Sequence, residues 1–260
     1  MGLGNLSGAD LGPSIINQAY DNLSKSAKVI ASGKKVDGPI AHSIIADQLR
    51  SDIAVDMQGV RNANDAISMV QTFDGAANSI SSNLTKMSQL AMQAANGTLS
   101  GEQKAVIQSE FEELASEVNR VAGNTQFNGN NLIGAAGMEI NVALGTGSDI
   151  SIQSGDLTID TAGMDLTTDA VGVLATLEQN IEQVSGYRGY LGTQMNRLES
   201  TVEVMEINIE QAIKSESNIS DADIATEVAK SASYQVQAKM GVAVQAQMHA
   251  INKTVLQLLG

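Results

Sequence analysis

Two stretches of heptad-like apolar periodicity dominate this chain, one filling its N-terminal half and one returning in its C-terminal third. The segment between them, residues 128–169, is rich in Gly, Thr, Ser and Asp and has no helical period. Two long helical arms around a short insert describe a rod folded back on itself. Such a rod packs sideways against copies of itself more readily than it encloses a substrate.

Composition supports helix–helix seams over a thick globular core. Apolar residues make up 43% of the 260-residue chain, but aromatic residues only 3%, and there is no Trp. The core must be built from Ala, Val, Ile, Leu and the 11 Met, side chains that suit narrow seams. The only prolines are Pro13 and Pro39, so little interrupts a helix after residue 40.

The net charge of −14 argues against nucleic acid, where affinity comes from Lys and Arg neutralising phosphates. It argues equally against an anionic membrane surface. The absence of Cys excludes disulfides and thiolate metal sites. The N-terminus, Met1-Gly-Leu-Gly-Asn-Leu-Ser-Gly-Ala-Asp10, shows neither the basic nor the apolar region of a cleaved secretory signal. No stretch is long and apolar enough to span a bilayer.

Periodicity predicts five helices. The first runs from about Pro13 to Ser32, with Ile16, Tyr20, Leu23, Ala27 and Ile30 on one face and Gly33 as its stop. A connector, Gly33-Lys-Lys-Val-Asp-Gly-Pro39, follows. The second helix spans about Ile40 to Ala95 and would be roughly 80 Å long at its ordinary rise. Its stripe includes Ile45, Leu49, Ile53, Met57, Val60, Val70, Phe73, Ile80, Leu84 and Met87. Gly59 and Gly75 weaken it locally or permit close approach of a neighbour. Ser100 and Gln103 form a capping-box pattern opening a third helix to about Ala122. One or two β-hairpins are expected over about 134–168, with turns at Gly145–Asp149 and Ser154–Asp156. The helical period resumes near Asp169, through Leu177, Val184, Leu191, Leu198 and Met205. Asp221 or Asp223 caps a last helix over about Ile224 to Leu258. Its face of Ala225, Ala229, Ala232, Val236 and Ala243 is small enough for intimate contact, and its end, with Ile251, Val255, Leu258 and Leu259, is apolar for a terminus. The fold class is therefore mainly α: a long antiparallel helical bundle or coiled coil with a small β-hairpin region and paired terminal helices.

The search for chemistry returns little. His42 and His249 lack partners at metal-ligand spacing. No nucleophile elbow, phosphate loop or dinucleotide fingerprint is present. Glu112-Glu113 reads as a solvated face and Asp221, Asp223 and Glu227 as a helix cap. Asp149, Asp156, Asp160 and Asp165 lack the spacing and terminal Glu of a calcium loop. No enzyme activity, cofactor or metal is expected.

Several runs carry a family resemblance. Arg61-Asn-Ala-Asn-Asp-Ala-Ile-Ser-Met-Val-Gln-Thr72, Leu90-Ala-Met-Gln-Ala-Ala-Asn-Gly97 and Asn124-Thr-Gln-Phe-Asn-Gly129 resemble the N-terminal core of bacterial flagellins. Tyr187-Arg-Gly-Tyr-Leu-Gly192, Asn196-Arg-Leu-Glu-Ser200, Ser220-Asp-Ala-Asp-Ile-Ala-Thr-Glu227 and Val255-Leu-Gln-Leu-Leu259 resemble the C-terminal core. The match runs in order along nearly the whole chain. The connector after Gly33 is shorter than is usual in the family, and the Gly-rich start is unusual.

The resemblance implies a subunit of the flagellar filament, in compact form without outer variable domains. It implies terminal helices, about 1–38 and 218–260, paired in the inner filament core, and a helical rod over 39–217 outside them. Subunit assembly would involve Ile16, Leu23, Ile30, Arg61, Asn62, Asn64, Asp65, Arg188, Asn196, Arg197, Val236, Ile251, Val255, Leu258 and Leu259. Implied partners are further copies in a helical homopolymer, hook-associated and cap proteins, and an export chaperone, with export to the extracellular filament without a cleaved signal. The motif read by a vertebrate Toll-like receptor falls on Lys86, Leu90 and Glu110. The family usually has Arg at the first, and Lys does not reproduce a planar bidentate contact, so weakened sensing is expected. The hook–filament junction protein, similar to flagellin at both ends, is the alternative within the same organelle; a helical binding module is the alternative outside it.

Overall fold

The computed structural model describes residues 8–35, 40–134, 137–145 and 149–259; within these, the side chains of 8–13, 40, 252 and 255–259 are not described. The expected connector around Pro39 and the side chains of Val255, Leu258 and Leu259 therefore lie outside the described residues.

Among the described residues, five helices and one hairpin follow in the order α1 (Gly8–Ser32), α2 (Ile40–Ala94), α3 (Gly101–Asn124), β1 (Glu139–Val142), β2 (Ile150–Gln153), α4 (Leu166–Ser220) and α5 (Ile224–Leu259). The first helix begins more than a turn earlier than Pro13 and stops where expected. Gly33 takes a positive φ of 69°, a conformation costly for residues with a Cβ, and its N–H donates to the Val29 carbonyl at 2.8 Å.

The chain divides into two compact units, one of residues 1–51 and 211–260 and one of residues 52–210. Both α2 and α4 supply residues to each. The core of unit 52–210 gathers α2, α3, α4 and the hairpin around fully buried Phe73, Ile80, Leu84, Met87, Phe111, Leu177, Leu191 and Leu198. Their spacings of three, four, seven and fourteen residues place them on one face of α2 and one face of α4. The predicted α4 stripe is buried or half-buried from Leu174 to Ala212. On α2 the stripe fades towards its start. Ile45 is 47% and Met57 41% exposed, and the small Ala46 is buried instead.

Ser100 opens α3 with a full capping box: its hydroxyl accepts from the Gln103 N–H, and the Gln103 side chain accepts from the Ser100 N–H. Such reciprocal bonds satisfy two otherwise orphaned donors.

One antiparallel hairpin forms, pairing Glu139 with Gln153 and Val142 with Ile150. No second strand pair involves Leu157 and Ile159, although both are buried. Their backbone is satisfied differently. Leu157 N–H donates to the Ile133 carbonyl at 3.0 Å. The Asn119 side-chain amide accepts from Ile159 N–H at 2.8 Å and donates to its carbonyl at 3.0 Å, standing in for a neighbouring strand. The expected restart at Asp169 is visible inside α4. Asp169 departs from helical geometry (φ −141°, ψ 67°), and its carboxylate accepts from Gly172 N–H at 2.9 Å, as an N-cap does.

Candidate assembly surface

In unit 1–51/211–260, α1 and α5 pair closely along their length. They run antiparallel, since Ser26 meets Glu227 and Ile16 lies against Gly241. The α1 seam is Ile16, Ala19, Leu23, Ser26 and Ile30, all buried or half-buried in steps of three and four. Tyr20 and Ala27, expected on this face, are exposed.

On α5 the seam is Glu227, Ser231, Tyr234, Ala238, Gly241 and Gln245. The sequence marks a different face of α5 as small enough for intimate helix contact. The stripe of Ala225, Ala229, Ala232, Val236 and Ala243 does not meet α1; every member is exposed. The reason is that α5 has no charged face to set its phase; its polar residues are mostly Ser and Gln, and Ser231 and Gln245 lie in the seam itself. From residue 231 to 259 it carries no acidic side chain, and its only Lys or Arg residues are Lys239 and Lys253. Val236 is 56%, Met240 62%, Val244 54% and Ile251 54% exposed. A helix that leaves this many large apolar side chains in solvent is one made to be covered.

Polar contacts close the base of the pair. Ser26 Oγ donates to Glu227 Oε1 at 2.6 Å, and Lys230 Nζ donates to Oε2 at 3.1 Å. These bonds hold the Glu227 carboxyl below the usual carboxylate range, Ser26 contributing most. Asp223 caps α5, accepting from the Ala225 and Thr226 N–H groups at 3.0 and 3.2 Å. Lys34 and Asp221 form an isolated antiparallel bridge, with Lys35 N–H donating to the Ser220 carbonyl and Ala222 N–H to the Gly33 carbonyl, each at 2.9 Å.

In unit 52–210 the predicted assembly residues are scattered rather than gathered. Arg61 is exposed, its guanidinium donating back to Gln58 at 2.6 and 3.0 Å. Asn62 is bound inward, donating to the Ala143 carbonyl at 2.8 Å and so tying α2 to the end of β1. Asn64 donates to the Val60 carbonyl at 2.9 Å, and Asp65 is exposed. Arg188 pairs with Asp74 at 2.8 Å. Asn196 and Arg197 line an open groove with Asp149, Ile150 and Thr193, and Arg197 donates to the buried Gln194 at 3.0 Å. Of the receptor-motif positions, Lys86 and Glu110 are exposed and Leu90 is half-buried against the core.

The YRGYLG run does structural work that spacing did not reveal. Tyr187 Oη donates to the Leu132 carbonyl at 3.1 Å, with the Gln153 carbonyl at 3.3 Å. Tyr190 Oη accepts from Gln153 N–H at 2.9 Å. The two rings stack 6.0 Å apart. Burial pushes the Tyr187 hydroxyl up to about 12.

Charge divides unequally between the units. Residues 52–210 hold 21 acidic and 6 basic side chains, a net −15; the remainder holds 8 and 9, a net +1. The aspartates once weighed as a calcium loop serve local turns instead. Asp156, Asp160 and Asp165 accept from the N–H groups of Thr158, Ala162 and Thr167. Among the described residues, no group of three His, Cys, Asp or Glu could hold a metal ion, and no helix is long and apolar enough to cross a membrane.

Residues 13–137 match the family model of the bacterial flagellin N-terminal helical region, and residues 174–259 that of the C-terminal helical region. The chain is 29% identical to a flagellin of Halalkalibacterium halodurans, over 93% of this chain and 91% of that one. It is 27% identical to a flagellar filament 31.3 kDa core protein of Treponema maltophilum, over 96% and 94% respectively. Among solved structures it is similar to Bacillus cereus flagellin, with 32% identity and a TM-score of 0.51 over 55% of this chain and 88% of that one. A hook-associated protein of Vibrio parahaemolyticus shares the fold at a TM-score of 0.62 and 15% identity, over 70% of this chain and 98% of that one.

Proposed function

The chain belongs to the bacterial flagellin family, and from that premise we propose that it polymerises by covering the free faces of its paired terminal helices with those of neighbouring copies. It is a structural subunit of the flagellar filament, and swimming motility is the work such a filament does. The family is a structural one, not a family of enzymes.

One observation carries the assembly mode. The α5 helix turns a small, partly polar face to α1 and leaves Val236, Met240 and Ile251 in solvent, while the net negative charge lies wholly in residues 52–210. A near-neutral, apolar helix pair favours the interior of a polymer; a unit of net −15 favours its outside. We assign the terminal helices, about 1–38 and 218–260, to the inner layer and 39–217 to the layer around it. Ile16, Leu23 and Ile30 hold the pair together, whereas Val236 and Ile251 meet other copies. Leu258 and Leu259 extend that apolar surface by sequence. Arg61, Asp65 and Asn196, all exposed, are the lateral contacts of the outer layer.

Export without a cleaved signal, delivery by a chaperone, and junction with hook-associated and cap proteins complete this reading. The exposed Lys86 and Glu110 keep the receptor motif accessible, with the contact at Lys86 weaker than one made by Arg.

Electron microscopy before and after addition of ammonium sulfate, which strengthens apolar burial, tests the assembly mode. Long, uniform tubular filaments are expected. A chain that stays monomeric with α1 and α5 already protected from hydrogen exchange would overturn it.

A further inference from the structure

The pairing of α1 with α5 raises a problem of choice. Apolar residues surround α5, so burial alone does not decide which face turns inward. The backbone bridge at Lys34 and Asp221 fixes the level at which the two helices meet. Ala222 N–H is held there too, by the Gly33 carbonyl. The backbone between the bridge and α5 is thus reduced to the cap residue Asp223, and the rotation of α5 about its axis is left to that residue and to the seam. Ala229, Ala232 and Val236 would fill the seam as well as Ser231, Tyr234 and Ala238 do.

The seam contains one feature that discriminates. Ser26 is only 2% exposed, and Ser26 and Gln194 are the buried polar residues among those described. Its hydroxyl reaches across the seam to the Glu227 carboxylate, which occupies the facing position on α5. Rotating α5 to present the alanine stripe would carry Glu227 away. That hydroxyl would be left only a bond back to a carbonyl of its own helix, of the kind Ser68 and Thr72 make, in place of a stronger charge-assisted one. A single buried polar residue in a helical seam is a known way to specify one arrangement among near-equals.

We propose that the Ser26–Glu227 hydrogen bond is a facing clasp: it selects which stripe of α5 pairs with α1 and thereby which stripe is left for neighbouring copies. Lys230, bound to the other carboxylate oxygen, holds the Glu227 side chain towards Ser26. The clasp acts on orientation, not on the strength of the apolar seam.

The chain contains no Cys, so engineered disulfides report facing without background. A Cβ built on Gly241 lies 3.9 Å from the Ile16 Cβ, within the separation a disulfide requires. The pair I16C/G241C therefore reads the native face. The pair I16C/A243C, two residues and about 200° further round α5, reads a rotated one. Both are made in the full-length chain and oxidised in solution and after salt-induced assembly. Intramolecular cross-links are scored by peptide mass spectrometry, and assembly separately by microscopy.

With Ser26 and Glu227 intact, the native pair cross-links and the rotated pair does not. S26A lowers the ratio of native to rotated cross-link by about tenfold or more. E227Q, which keeps an acceptor oxygen for Ser26, leaves the ratio near that of the parent. An unchanged ratio in S26A overturns the proposal, as does an equal fall in E227Q, which would place the effect in the charge. Loss of both cross-links in S26A also overturns it, since the bond would then be needed for pairing itself.

Discussion

The carbonyl oxygen of Leu144 lies 2.6 Å from the point where a Cβ on Gly59 would begin. The chain just after β1 thus rests directly on the backbone of α2, with Met205 of α4 crowded against the same point. Gly75, on the same helix, has nothing within 4 Å of such a Cβ. The two glycines therefore respond oppositely to one substitution. Gly75→Ala should stabilise by about 0.5–1 kcal/mol through helix propensity. Gly59→Ala should destabilise by about 1–3 kcal/mol, because backbone must move. Denaturant unfolding of the two variants checks the signs.

Tyr187 and Tyr190 pin the hairpin to α4 through their hydroxyls. Tyr187→Phe leaves the Leu132 carbonyl without this donor and should cost about 1 kcal/mol, as should Tyr190→Phe, which deprives the Gln153 N–H. The pH dependence follows from the raised Tyr187 value. A folded-state value of about 12 against about 10 in the unfolded chain means that the folded chain holds the proton longer. Its contribution is complete below pH 10 and is lost as pH rises through 12. Unfolding monitored from pH 9 upward should show this loss in the parent and a smaller one in Tyr187→Phe.

At the acid end, Glu227 acts in the opposite sense. Its folded-state value lies below the ordinary 4.5, so its contribution is full above pH 4.5 and disappears as pH falls through the depressed value. Lys25, Lys35, Asp223, Lys230 and Tyr234 surround it. Ser26 and Lys230 favour its charge, and desolvation opposes it. Protonated Glu227 keeps a carbonyl oxygen that accepts from Ser26, so the facing survives acid. Denaturant unfolding should instead show stability falling as pH drops below 4.5 in the parent and by less in Ser26→Ala, where the largest cause of the depressed value is gone.

Val236→Asp and Ile251→Asp should block polymerisation while leaving the α1–α5 pair formed, since both residues are more than half exposed in the single chain. Covering an unpaired carboxylate costs several kcal/mol, so the critical concentration should rise at least about tenfold. Sedimentation of assembled material, with circular dichroism of the monomer, separates the two effects. Assembly at parental concentrations would exclude these positions from the interface.

Lys86→Arg restores a planar guanidinium at an exposed position. A receptor reporter assay should show stronger signalling by this variant than by the parent, at equal monomer concentration.

The legibility of this fold differed by element, for physical reasons. On α2, α3 and α4, apolar and polar residues alternate strongly enough to give both the helix and its inward face, as Phe73, Phe111 and Leu191 illustrate. On α5 the same periodicity revealed a helix but not its phase, because the face opposite Ala225 and Val236 is the more polar one, with Glu227, Ser231 and Gln245, and it is this face that turns inward. The hairpin was legible from alternation at Ile140 and Val142. The absence of a partner strand at Ile159 was not, since that role falls to the Asn119 amide, forty residues away. Asn62 looked like a surface contact but donates to Ala143, a role set by the distant hairpin. Ser26 carried no motif at all; only the Glu227 opposite it gives it meaning.

The uneven division of charge reaches beyond the single subunit. A polymer with residues 52–210 outermost adds fifteen negative charges to its surface with each copy. In about 0.1 M salt that field reaches only about 10 Å. Neighbouring polymers would feel nothing until they nearly touch and would then be pushed apart. Such filaments can lie alongside one another, turn and separate again without sticking, held apart by a thin electrostatic cushion laid down one subunit at a time.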